Sequence, residues 1–186
     1  MTLFKTSREK FLWMCVLAIF IAIFSTLFIG QPLARFFADQ QVQAVIFVFG
    51  MLLVGTAILI HALQTKPKKF EIVILLGIVA VYIMLFLRLG SPERSHLFEY
   101  SVLALFIHKA LIEGVSGGRR ISQPALWALI SAFFTGVLDE CIQLFLPNRI
   151  FDPIDILFNG FVVSMAIGAH MLITWARKRI NTSRMT

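Results

Sequence analysis

Two adjacent carboxylates, Asp139 and Glu140, stand in the otherwise apolar run GVLDECIQLFL, with Gln143 within a helical turn of both. Arg149, Asp152, Asp155 and Asn159 follow along the chain, and His96, Glu99 and Tyr100 precede them in an earlier apolar segment. Ionisable groups in or beside a membrane are expensive, and those that persist face a bundle interior or a wet cavity. On a helix, side chains three or four positions apart share a face. That spacing pairs Asp139 with Gln143, His96 with Glu99 and Tyr100, and Asp155 with Asn159.

Three kinds of chemistry fit these residue types. Polar side chains brace membrane helices against one another, although each such bond is worth only about 0.6 kcal/mol on average. A guanidinium matches a phosphate bidentately. Arg149 with Arg88 or Arg94 would thus hold the phosphate of a lipid or lipid-linked precursor, with Asp and Asn meeting sugar hydroxyls or peptide amides. A carboxylate pair beside His96 also has the residue types for acid/base work on a lipid headgroup. His96, Asp139 and Glu140 are metal-ligand types as well, but the sequence has no H-E-x-x-H or comparable ligand spacing. A phosphate-binding glycine loop is absent too. No cofactor or metal is expected on these grounds, and whether the site binds, catalyses or only braces stays open.

The elements that must position these residues follow from hydropathy. Of 186 residues, 59% are hydrophobic and 15% charged, against about 45–50% and about 25% in soluble domains. The excess is grouped in runs near the ~20 residues that cross a bilayer. Six spans are expected: Phe11–Gly30, Val42–Leu63, Phe70–Leu87, Ser95–Leu111, Pro124 to Leu146 and Ile154 to Trp175. The first is too long for a signal-peptide core, and no small-x-small cleavage pattern follows it, so it reads as a retained span. Gln31–Gln43 reads as a loop or interfacial piece, Glu113–Gln123 as a flexible basic loop, and Arg177–Arg184 as a basic tail. Gly90, Ser91 and Pro92 break the helix ahead of span four, the most polar one, where Ser95 is the expected N-cap. Pro124 suits a first turn.

The formal charge of +7 does not mark a nucleic-acid surface, because the basic residues lie in short runs between spans. With the N-terminus cytoplasmic, 13 Lys and Arg fall on the inner side and only Arg35, Arg88, Arg94 and Arg149 on the outer. Basic loops face the cytoplasm, so both termini are placed inside and the polar cluster on the outer face. Trp13, Trp127 and Trp175 sit near inner ends, where an aromatic belt belongs. His61, His108 and Lys109 are expected to reach headgroups there. Cys15 and Cys141 form neither a metal framework nor a redox motif and read as packing residues.

The order His96-x-x-Glu99-Tyr100, then LDECIQLFLPNR, then Asp155-x-Leu-x-Asn159-Gly resembles the VanZ-like family of small membrane proteins. The likeness covers residues 93–173, and Glu93-Arg94-Ser95 departs from the Asp-Lys that often precedes the family's His. It implies a site at His96, Tyr100, Asp139, Glu140, Gln143, Arg149, Asp155 and Asn159, with Glu99 extending the motif. It also implies a link to glycopeptide, teicoplanin-type, susceptibility. The expectation is therefore an all-α polytopic bundle of six transmembrane helices in the inner or plasma membrane. It divides into an N-terminal three-span half (1–91), a VanZ-like three-span domain (92–176) and a cytoplasmic tail (177–186). The bilayer is its first partner and a lipid-linked envelope precursor its candidate ligand.

Overall fold

The computed structural model describes residues 4–36, 69–89, 91–146 and 151–182. They form five α-helices: α1 (Ser7–Phe36), α2 (Lys69–Arg88), α3 (Ser91–Ser116), α4 (Pro124–Gln143) and α5 (Pro153–Thr182). Four of these, α1, α2, α4 and α5, are long and apolar enough to cross a membrane. Large apolar side chains such as Phe28, Leu87, Phe134 and Leu157 cover the outside. In hydrocarbon every backbone polar group has to be satisfied within its own segment, so apolar runs of this length become helices. The fold is all-helical, with an exterior suited to lipid. The expected second span, Val42–Leu63, falls outside the described residues, and the expected fourth, Ser95–Leu111, lies in α3, which does not qualify, so the described residues contain four apolar spans where six were expected.

The helix that falls short of a span by composition is the one at the centre. α3 packs against α1, α4 and α5, and Leu97, Tyr100, Leu103, Ala104 and Ala110 on it are completely buried. His96, Tyr100, Ser101 and His108 on it are buried, and they are tolerated because neighbouring helices, not lipid, surround them. Small residues allow the close approach: Ala104, Ala128, Ala132 and Ala166 lie in the core, as expected where helices are held by packing and not by hydrophobic exclusion. α2, in contrast, buries no side chain. It contacts α5 and is tied to α3 by the Tyr82–Ser101 hydroxyl pair at 3.0 Å.

Helix ends depart from the expected ones in instructive ways. α1 runs on past Gly30 and Pro32 to Phe36, where a loop or interfacial piece was expected from Gln31. α3 begins at Ser91 and not at Ser95, because a proline in the first turn costs no hydrogen bond. It also runs through Glu113 to Ser116 before turning. There Arg119 N donates to Gly114 O and Gly118 N to Val115 O, both at 2.9 Å, closing a Schellman cap with Gly118 at φ 92°. α4 does start at Pro124, but it ends at Gln143, and two tightening bonds from Phe145 and Leu146 carry the backbone on. α5 extends well into the basic tail, where the guanidinium of Arg179 lies 5.5 Å over the Trp175 ring.

The end of the bundle where α3 turns into α4 is fastened by charge. Glu9 is fully buried, 3.1 Å from Arg119 Nε, and accepts from the backbone N–H of Lys5 at 2.7 Å. Thr6 donates to Glu113 at 3.1 Å, and Arg8 lies 3.7 Å from the same carboxylate. Arg177 near the end of α5 pairs with Glu71 at the start of α2 at 3.4 Å. Trp13, Trp127 and Trp175 belong to this same end, on the first turns of α1 and α4 and the last turns of α5.

Candidate functional site

The opposite end of the bundle is where α3 begins, α4 finishes and α5 begins, and there the polar residues meet. On α4, Asp139, Glu140 and Gln143 are all buried. On α3, His96 and Tyr100 are buried, and on α5 Asn159 is completely so. Tyr100 donates its hydroxyl to Asp139 Oδ2 at 2.9 Å. His96 Nδ1 lies 3.1 Å from Asn159 Oδ1, and its ring stacks on Tyr100 with centroids 5.6 Å apart and planes 9° from parallel. A carbonyl oxygen only accepts, so Nδ1 is the donor in this contact, which leaves Nε2 unengaged by it. Gln143 donates to Glu140 Oε1 at 2.7 Å. The i to i+4 pairing of Gln143 with Asp139 is thus replaced by an i to i+3 pairing with Glu140, because Tyr100 holds Asp139 from across the bundle.

Asp152 is the residue whose role spacing alone does not disclose. Its carboxylate Oδ1 accepts from Ile154 N at 2.8 Å, the N-cap bond of α5, with Pro153 at the first helical position. Its own backbone N–H donates to Glu140 Oε2 at 3.3 Å, so one residue starts α5 and links it to the α4 carboxylate. The Asp-Pro dipeptide before an apolar run is the signal that marks such a cap. Gly136 is a second position of this kind. A Cβ there would stand 3.0 Å from both Cβ and Nδ2 of Asn159, so the absent side chain is what lets α5 bring Asn159 in.

Seven of the residues with cluster roles thus come together: His96, Tyr100, Asp139, Glu140, Gln143, Asp152 and Asn159. Glu99 and Asp155 are only partly buried, at its margin. Arg149 lies outside the described residues. Arg94, proposed from sequence as a phosphate ligand, is engaged elsewhere. Its Nε donates to Phe86 O at 3.0 Å and Leu89 O at 2.9 Å, and its guanidinium covers the Phe86 ring at 4.9 Å. It therefore caps the last carbonyls of α2, the end of a helix where a cation is favoured. His108 does not reach for headgroups: it is buried and meets the His170 ring edge-on at 5.1 Å. Cys15 and Cys141 are free thiols.

No family model, curated protein or solved structure matches the chain. A cavity of about 460 Å³ lies at the other, basic end, lined by Trp13, Trp127, Arg120 and Ser131 among others. The polar cluster is instead packed: its side chains face one another between three helices, and Glu99, Asp152 and Asp155 form its more exposed edge.

Proposed function

We propose that this chain is a six-span protein of the inner or plasma membrane, with both termini cytoplasmic and the polar cluster on the outer face. In this reading it is a VanZ-like protein that binds or shields a polar component of the cell envelope and so changes susceptibility to teicoplanin-type glycopeptides. The observation that carries a site here is the burial of Asp139 and Glu140 side by side with His96 in an apolar bundle. Bracing three helices does not need two neighbouring carboxylates, and membrane hydrogen bonds return too little to explain them. The loop charges, 13 basic residues against 4, support the orientation, and the sequence resemblance supports the envelope link.

The test is a susceptibility assay on cells expressing Asp139→Ala, Glu140→Ala or Arg149→Ala, with membrane levels checked by immunoblot. Each single change is expected to abolish the protection given by the wild type while leaving membrane levels normal. Unchanged protection in all three would sink the site, and a lower unfolding temperature in detergent without loss of protection would assign the cluster to bracing. Mass spectrometry of the lipids decides between binding and chemistry, since only an enzyme leaves new or missing headgroup species.

A further inference from the structure

His96, Asp139 and Glu140 come from two helices and are all buried, and each offers one donor atom within 4.8 Å of the donors of the other two. We infer that this trio is a binding site for one divalent cation of the Zn²⁺ or Mn²⁺ class. The inference rests on the cluster being a site, as proposed above, and adds its ligand chemistry. One imidazole with two carboxylates suits those ions: imidazole favours zinc and its neighbours, while carboxylates favour manganese and harder ions. Three protein ligands with a further position open is the arrangement of a metal site that takes water or a substrate oxygen. The 4.8 Å limit on the donor separations stands somewhat above the roughly 3.4 Å edge of a tetrahedron built on 2.0–2.2 Å ligand bonds. Small side-chain rotations therefore close the trio on an ion.

Each candidate ligand is oriented by a neighbour, as metal ligands are. Asn159 accepts from His96 Nδ1, which turns Nε2 to the ligating role. Tyr100 holds Asp139, and Gln143 with the Asp152 amide holds Glu140. An independent sign of a missing ligand is the Nδ2 of Asn159, which is buried and has no hydrogen-bond partner. It lies against Gly136, one turn from Asp139 and Glu140 on the same face of α4. Buried N–H groups are rarely left unmade, and a water or oxyanion oxygen carried by the cation supplies the acceptor this one lacks. The described partners of Glu140 are neutral donors, and a cation beside it offsets the cost of holding a carboxylate away from water.

The experiment uses tag-free full-length protein in detergent, stripped with EDTA, desalted and titrated with ZnCl₂ or MnCl₂ by calorimetry, with bound metal counted by mass spectrometry. One ion per chain is expected, with binding lost in His96→Gln and Glu140→Gln. Asn159→Ala is expected to weaken it about 10–100-fold, the usual effect of removing an orienting partner. The double variant His108→Ala/His170→Ala, at the distant imidazole pair, is expected to bind as the wild type does. Circular dichroism of the metal-free variants confirms that helix content is kept. No stoichiometric binding of either ion by the wild type overturns the cation site, as does unchanged binding in Glu140→Gln. If the cation fails while the alanine variants still abolish protection, only the ligand chemistry is wrong. If the ion binds while protection is untouched, the cation site holds and the envelope reading falls.

Discussion

Tyr100 and Gly136 decide how the cluster is held, and neither is an ionisable ligand of anything. Tyr100 is fully buried and supplies the hydroxyl that Asp139 accepts. Removing that hydroxyl in Tyr100→Phe leaves the ring stacking on His96 but takes a donor from a buried carboxylate, a loss of about 1–3 kcal/mol. Thermal unfolding in detergent should show it as a lower midpoint, with helix content unchanged. Gly136→Ala places a methyl 3.0 Å from Asn159, so Asn159 must shift and its bond to His96 lengthen; overpacking of this kind costs about 1–3 kcal/mol. Nitrogen NMR of labelled His should then show the His96 tautomer becoming mixed, and an unchanged signal would refute the close approach. His96, Tyr100, Asp139, Glu140, Gln143 and Asn159 were all legible from residue type and helical spacing. Their partners were not. Spacing sees one helix at a time, whereas Tyr100 meets Asp139 and His96 meets Asn159 across the bundle.

Helix ends decide where the cluster stands. The apolar runs show through in the sequence because a bilayer-length stretch of apolar residues has few alternatives to a helix. Their termini are less legible. Pro92 reads as a breaker, yet it lies in the first turn of α3, and Arg177–Arg184 reads as a tail, yet α5 continues into it as far as Thr182. Lys and Arg are good helix formers, so charge alone does not stop a helix. Two residues do the terminating and starting. Gly118 holds φ 92°, a conformation that costs an L side chain about 1–2 kcal/mol. Gly118→Ala should therefore lower stability by that amount without touching the cluster. Asp152→Ala removes the N-cap of α5, worth about 1 kcal/mol, and should loosen Glu140 as well because the two residues share a bond. A double-mutant cycle of Asp152→Ala with Gly118→Ala should be additive, since distant sites act independently. Strong coupling between them would mean that the two ends of the bundle are not separate.

At the scale of the molecule, the least apolar of the long helices is the centre of the bundle, with three apolar helices around it. Composition makes α3 look like the weakest span, and only the packing shows why it can be polar. The two ends differ in kind: hydrogen-bonded neutral and acidic groups at one, fastened ion pairs at the other. Arg119→Ala leaves Glu9 buried without its cation, and breaking a buried pair in this way costs roughly 3–5 kcal/mol. That change should lower the unfolding temperature more than any single change at the cluster margin, such as Glu99→Ala. The Glu99→Ala variant should stay close to wild type in stability.

The fastening of the N-terminal turn has a consequence for how the protein is made. Thr6 reaches a residue 107 positions further along the chain, and the buried carboxylate of Glu9 waits for Arg119. When α1 first leaves the ribosome, neither contact exists, so Glu9 must stay hydrated at the membrane surface until the end of α3 arrives. Completion of α1 is therefore a late event in biogenesis. A bulky fusion placed directly ahead of Lys5 would crowd the site of that last closure, whereas one at the C-terminus would leave it clear.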